Sequence, residues 1–327
     1  MRALFRRSGV YGVAFLLAIV MNFALPRLMP GSPVDSMIAQ LGRRATPAAI
    51  EAIKARFGLI QQPLWSQFLD YIRGLATFDL GVSIKYYPMT VTEVLGRSAG
   101  WTAFLVTTAI IFSLFVGVGL GAIAAWRRGG RFDTFVSPLA IVLISIPPVV
   151  FALTSLFIFG VALRFFPVGY AYNPDLDPGL NFTFLGSVIM HGILPVLTLS
   201  PYLIGEFQTT MRSSMISVLN EDYVTLGRAK GLSDAAVMFG YGARNAMLPV
   251  LTNLALMLGA VFGGSIVTEI VFNYPGLGMT LFTASVARDY PVIQGQLLLM
   301  TLATLGANML VDIVYGLIDP RLRAASA

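Results

Sequence analysis

The chain contains no cysteine. That excludes a disulfide scaffold, an iron–sulfur cluster and a thiolate zinc site. It contains one histidine, His191, which is too few for a histidine metal centre or a His-based catalytic triad. Lysine is nearly absent as well. Lys54, Lys85 and Lys230 are the only three, and none stands in the Gly-x4-Gly-Lys-Ser/Thr context that cradles phosphates. No catalytic, metal or cofactor site of the chain's own is expected. Charge is the last scarcity: 12% of residues are charged, against about 25% in soluble domains. Disorder is excluded too, because 56% of the chain is hydrophobic and it carries 23 Phe, 12 Tyr and 3 Trp. The net charge of +6 reads as arginines at membrane surfaces, not as a nucleic-acid footprint.

What the chain does have is long stretches without Asp, Glu, Lys or Arg. There are six: Ser8–Pro26, Ser98–Trp126, Thr134–Leu163, Pro178–Gly205, Asn245–Thr268 and Tyr290–Val311. Each is close to or above the about 20 residues a membrane-spanning helix needs. A charge at a helix centre would cost about 2.5–3.5 kcal/mol on insertion. The expected fold is therefore an all-α integral membrane protein with six transmembrane helices. A further uncharged run, Ile270–Ala287, contains Asn273-Tyr274-Pro275-Gly276-Leu277-Gly278. This is turn sequence, so the run reads as a loop and a short helix against the membrane.

The arginines give an orientation. With the N-terminus inside, twelve basic residues fall in cytoplasmic segments: Arg2, Arg6, Arg7, Arg127, Arg128, Arg131, Arg212, Arg228, Lys230, Arg244, Arg321 and Arg323. The two short outside loops hold only Arg164 and Arg288. Both termini are expected inside. Residues 1–28 then form a signal-anchor helix, since Leu25-Pro26-Arg27 is a poor cleavage site. Residues 29–97 form a small helical cap outside, 98–320 a core with five spans, and 321–327 a cytoplasmic tail. Within the cap, Thr46 and Pro47 start a helix reaching about Phe57. A second helix, Leu64–Leu75, carries Trp65, Phe68, Leu69 and Ile72 on one stripe.

The inside loop at 212–245 is the richest in signals. Asn220 is a suitable N-cap; Glu221 and Asp222 fill a first turn, Arg228 and Lys230 a last one. Gly231 stands where a left-handed C-cap belongs. The spacing predicts a helix over Glu221–Lys230, with Tyr223, Gly227 and Lys230 on one face. Ser233 caps a second short helix, Asp234–Ala243. Either the loop is a solvated connector or it docks a cytoplasmic partner.

Several phrases then coincide in order: Met211-Arg212-Ser213-Ser214-Met215, Glu221-Asp222-Tyr223-Val224, Arg228-Ala229-Lys230-Gly231-Leu232 and Arg244-Asn245-Ala246-Met247-Leu248-Pro249-Val250. With them stand Asp79-Leu80-Gly81-Val82-Ser83, His191-Gly192-Ile193-Leu194-Pro195, Glu269 with Pro275-Gly276-Leu277-Gly278, and Arg288-Asp289-Tyr290-Pro291. This set resembles the B-type permease subunit of dipeptide, oligopeptide and nickel ABC importers. The resemblance implies a type I importer permease in the bacterial inner membrane. It implies a sister permease, two cytoplasmic ATPase subunits carrying the ATP and magnesium, and a substrate-binding protein delivering peptides or peptide-like solutes across the lipid bilayer. It also implies that Glu221, Asp222, Tyr223, Gly227, Arg228, Ala229, Lys230 and Gly231 form the coupling helix against an ATPase. The general importer motif has Glu-Ala-Ala where this chain has Thr225-Leu226-Gly227.

Two rival functions are weaker. A secondary transporter or channel tends to carry carboxylates near the bilayer midplane, and the six windows have none. An intramembrane enzyme would show a catalytic pair, whereas His191 beside Gly192 and Pro195 reads as a satisfied structural residue. Glu206 is the individual residue of most interest. It lies six residues before Arg212 on a segment apolar from Gly179 apart from His191. Either it pairs with Arg212 or reaches water near the inner interface, or it lines a pathway and favours cationic solutes.

Overall fold

The computed structural model describes residues 2–29, 63–259 and 266–318. The expected cap helix beginning at Thr46 and the tail from 321 lie outside them. The described chain is helical. α1 is Arg2–Leu28, α2 Leu64–Thr77, α3 Val91–Trp126 and α4 Arg131–Ser145. α5, Pro148–Ser155, runs on as a π-helical stretch, Leu156–Ala162. α6 is Phe182–Leu219, α7 Asp222–Ala229 and α8 Asp234–Ala236. A second π stretch, Val237–Ala243, leads into α9, Arg244–Gly259. α10 is Ile266–Val271, α11 Leu277–Ala287 and α12 Tyr290–Ile318.

Four of these helices, α1, α3, α6 and α12, are long and apolar enough to cross a membrane. α4 and α5 form a fifth only as a pair bent by 97°. The expected single span over Thr134–Leu163 is therefore broken. Ile146 is extended (φ −76, ψ 123), because a residue before proline is pushed out of the helical region. Pro147 lacks an amide donor, and Pro148 is placed at the first position of the next helix, where proline is tolerated. The fifth uncharged window appears as α9 and α10, with 260–265 outside the described residues. The Ile270–Ala287 run forms a turn and the short helix α11, as its turn sequence implied.

The centre of the molecule is the pair α3 and α6. They run parallel, and glycine lets them touch. A Cβ on Gly117 would stand 2.7 Å from the Phe207 Cβ, and one on Gly121 2.5 Å from the Gln208 carbonyl oxygen. This Gly-x3-Gly spacing is the small-residue seam by which membrane helices approach closely. α4 packs antiparallel on another side of α6, where a Cβ on Gly205 would meet the Ala140 carbonyl oxygen at 2.7 Å. Three apolar clusters follow one another along α3. Val91, Val94 and Leu95 pack with Leu277, Ala284, Val292 and Ile293. Leu105 and Ala109 pack with Leu194, Phe272 and Tyr274. Ile110, Ala122 and Ala125 pack with Phe207, Met211, Met215, Met238 and Val250.

α2 lies across α1 through an edge-on contact of Phe68 with Phe23, centroids 5.1 Å apart. The expected stripe is only half used. Phe68 and Ile72 are partly covered, while Trp65 and Leu69 stay exposed. The covered face is turned toward Tyr71 and Gln67, because α1 offers Phe23 to the aromatic ring and Arg27 to the Gln67 amide oxygen.

Candidate functional site

The 212–245 region is built on the end of α6. That helix does not stop at Arg212 but continues two turns to Leu219. Asn220 is its C-cap; the Asn220 amide donates to the Ser217 carbonyl and the Glu221 amide to the Val218 carbonyl. The N-cap of α7 is therefore Glu221, not Asn220, and it caps without a side-chain bond. α7 spans Asp222–Ala229, about 12 Å. Gly231 has φ +76, the left-handed turn its position implied. The Ser233 hydroxyl oxygen accepts from the Ala236 amide at 3.3 Å. The second helix differs from expectation: one α turn passes into the π stretch and then into α9.

The faces of α7 also differ. Val224 and Gly227 are buried, three residues apart and turned toward the bundle. Gly227 packs against the Tyr241 ring and Leu232. It therefore does not share the outward face of Tyr223 and Lys230. The Arg228 guanidinium lies 5.5 Å from the centroid of Trp126, at the end of α3. Outward stand Glu221, Asp222, Tyr223, Thr225, Leu226, Ala229, Lys230 and Gly231. Three large apolar side chains are among the exposed ones: Tyr223, Leu226 (55% exposed) and Leu232.

Beneath this element sits an ion pair the sequence did not reveal. Arg212 donates from Nε to Asp133 Oδ1 at 2.6 Å and from its terminal nitrogen to Oδ2 at 2.8 Å. Asp133 also accepts from the Gly129 amide at 3.0 Å and the Ser137 hydroxyl at 2.7 Å. The carboxylate is 6% exposed. A bidentate, otherwise satisfied pair of this kind fixes α4 against α6. Arg212 is thus not the partner of Glu206. Glu206 is half-buried, one turn from Tyr202, whose hydroxyl interacts with it. Among the described residues no basic group lies within ion-pair distance of it.

At the other end of α3, the turn and loop phrases meet. Glu269 is fully buried. Its Oε1 accepts from the Thr102 hydroxyl at 2.8 Å. Its Oε2 accepts from the amides of Gly278 at 2.6 Å and Met279 at 3.2 Å, the open N-terminus of α11. Thr102 Oγ1 in turn accepts from the Leu277 amide at 2.7 Å. A side chain on Gly276 would overlap the Glu269 carboxylate, which explains the glycine after Pro275. Nearby, Asp289 is buried and accepts from the Ser83 hydroxyl and the Lys85 amide at 3.0 Å. This joins the Asp79–Ser83 phrase to the Arg288–Pro291 phrase. His191 is satisfied locally by the Ser187 carbonyl, 2.8 Å from Nδ1. Glu269 could have been singled out in the sequence as the only charged residue between Asn245 and Ala287. Asp133 and Arg212, 79 residues apart, gave no local signal.

Known proteins are similar to this chain almost end to end. A dipeptide transport system permease protein of Escherichia coli (strain K12) is 34% identical over 97% of both chains. A di/tripeptide transport system permease protein of Pseudomonas aeruginosa (strain UCBPP-PA14) is 35% identical, again over 97% of both. A solved amino acid ABC transporter chain is 15% identical, with a TM-score of 0.48 over 68% of this chain and 93% of that one. Residues 117–324 match the family model described as binding-protein-dependent transport system inner membrane component. With that match over more than half its length and relatives this similar over nearly all of it, the chain belongs to the binding-protein-dependent transport system inner membrane components.

Proposed function

We propose that this chain is one of two permease subunits of an ATP-driven importer of peptides or peptide-like solutes, and that α7 is the element through which ATP hydrolysis reaches the membrane. The sister permease, two ATPase subunits with their ATP and magnesium, and a substrate-binding protein complete the assembly. Both termini and α7 lie on the cytoplasmic side in this reading, and the 29–97 cap lies outside. The peptide class follows from the relatives, whose names specify dipeptides and di/tripeptides.

The observation that carries the coupling assignment is the split character of α7. Val224 and Gly227 anchor it, and Arg228 braces it on Trp126. Tyr223 and Leu226 nevertheless face outward, although each could contribute about 1.5–3 kcal/mol if buried. A short helix that is firmly seated and still presents apolar side chains suits a cleft in a partner. Leu226→Glu alters only the outward side. In the assembled transporter it should lower ATP-driven uptake and co-purification of the ATPase subunits at least tenfold, with normal membrane insertion. Gly231→Pro, which cannot adopt φ +76, should uncouple in the same way. Normal uptake by both variants would overturn the assignment.

A further inference from the structure

The uncovered sides of most long helices here are apolar. α3 exposes Ile111, Phe112, Phe115 and Ile123, and α4 exposes Phe135, Leu139, Ile141 and Val142. These are surfaces for lipid. α6 is different. Its other sides are taken: Phe207, Gln208, Met211 and Met215 are buried, Gly205 meets α4, and Thr210 and Ser214 bond to α9 through Asn253 and the Ala246 carbonyl. The remaining ridge is Tyr202, Glu206, Thr209, Ser213 and Ser217, spaced by three and four residues so that they share a side. Four of the five are polar, Tyr202 adds an aromatic ring with a hydroxyl, and none is buried. Ser213 and Ser217 lie past Arg212, on the side read as cytoplasmic; Tyr202, Glu206 and Thr209 lie before it, where a half-buried carboxylate is not stable against lipid and calls for water, solute or protein.

The chemistry of the ridge is one-sided. The Thr209 hydroxyl donates to the Gly205 and Glu206 carbonyls of its own helix. Ser213 donates to the Thr210 carbonyl and Ser217 to the Ser213 carbonyl. Each hydroxyl has spent its only proton inward and presents lone pairs outward. The ridge is therefore lined with acceptors, and its one charged group is an anion. The only basic side chain close along the helix, Arg212, is held by both oxygens of Asp133 and lies about 9 Å away along the axis.

The geometry points to a solute lane along the α6 ridge in which Glu206 selects for solutes with net positive charge. It rests on the reading of this chain as a solute permease. Protonated amines match the lane in both charge and hydrogen-bond sense, because they are donors only. Anionic solutes would face Glu206 and the row of outward lone pairs together.

The test is uptake of radiolabelled Lys-Lys, Ala-Ala and Ala-Glu by the whole transporter with its substrate-binding protein unchanged. Each probe is compared with itself between wild type and variant, so the preferences of the binding protein cancel. Glu206→Gln should lower Lys-Lys uptake about tenfold, equivalent to about 1.4 kcal/mol, and leave Ala-Ala within twofold. Glu206→Asp should restore the Lys-Lys preference, and Glu206→Lys should raise Ala-Glu relative to Lys-Lys. Ala-Ala uptake reports assembly in each variant. Unchanged ratios among the three probes would overturn the selection. So would an equal loss of all three, which would mean that Glu206 holds the subunits together. If the wild-type transporter takes up none of the three, the peptide reading falls instead, and the lane falls with it.

Discussion

Glu269 is the most demanding electrostatic commitment in the structure, and removing its charge gives a sharp test. The side chain is fully buried and accepts hydrogen bonds from the backbone amides at the start of α11 and from Thr102. In Glu269→Gln the shape is kept. One oxygen becomes an NH2 group, however, and either the amides of Gly278 and Met279 or the Thr102 hydroxyl then face a donor. A hydrogen bond to a charged group contributes about 1.5–3 kcal/mol, and an orphaned buried donor costs about 1–3 kcal/mol. The helix-terminus attraction, up to about 2 kcal/mol in partly buried sites, is lost as well. These terms overlap, so the expected destabilisation is about 3–4 kcal/mol. Glu269→Ala should cost more, since it also leaves a cavity. The measurement is the chemical unfolding midpoint of the assembled transporter in detergent, for Glu269→Gln, Thr102→Val and the double variant. The pair should couple by at least about 0.5 kcal/mol. A Glu269→Gln transporter as stable as wild type, or strict additivity with Thr102→Val, would refute the reasoning.

Asp133 and Arg212 should behave as a buried pair: Asp133→Ala or Arg212→Ala alone should cost about 3–5 kcal/mol, whereas replacing both with apolar residues of similar volume should be far milder. Unfolding midpoints of the three variants decide this, and a loss in the double variant equal to the sum of the two single losses would show that the pair is not coupled. The topology is checked by cysteine labelling, made simple by a chain with no cysteine of its own. Ala48→Cys should react with a membrane-impermeant thiol reagent from outside, and labelling only from the cytoplasmic side would invert the orientation.

The long helices were legible because lipid forbids charge, and the absence of charge is a local property of sequence. α1, α3, α6 and α12 follow directly from it. The break between α4 and α5 was also written locally, in Pro147-Pro148; counting uncharged residues ignores backbone stereochemistry and passes over it. Gly231 was legible because a C-cap has a conformational requirement that one residue type meets best. The faces of α7 were not. Which side of a short polar helix is buried depends on Tyr241 and Trp126, and these arrive from other elements. The same holds for the charges. Asp133 and Arg212 look like two interfacial residues until α4 and α6 are laid side by side. Once Arg212 is assigned, the alternative of pairing it with Glu206 disappears.

That reassignment changes what a push on α7 can do. α6 is pinned to α4 by the Asp133–Arg212 pair at the level of Arg212. It is pinned to α3 between Ile204 and Arg212 by the Gly117 and Gly121 contacts, which leave no room for a methyl group. At its far end, α3 is pinned by Thr102 to the Glu269 lock and α11. Close-packed helices with polar clamps at separated levels have discrete arrangements and little slack. A displacement entering at Leu219 is therefore carried along α6 and α3 as a unit. The uncovered polar ridge of α6 moves with that unit, so the side chains that would meet a solute are mechanically joined to the helix that would meet the ATPase.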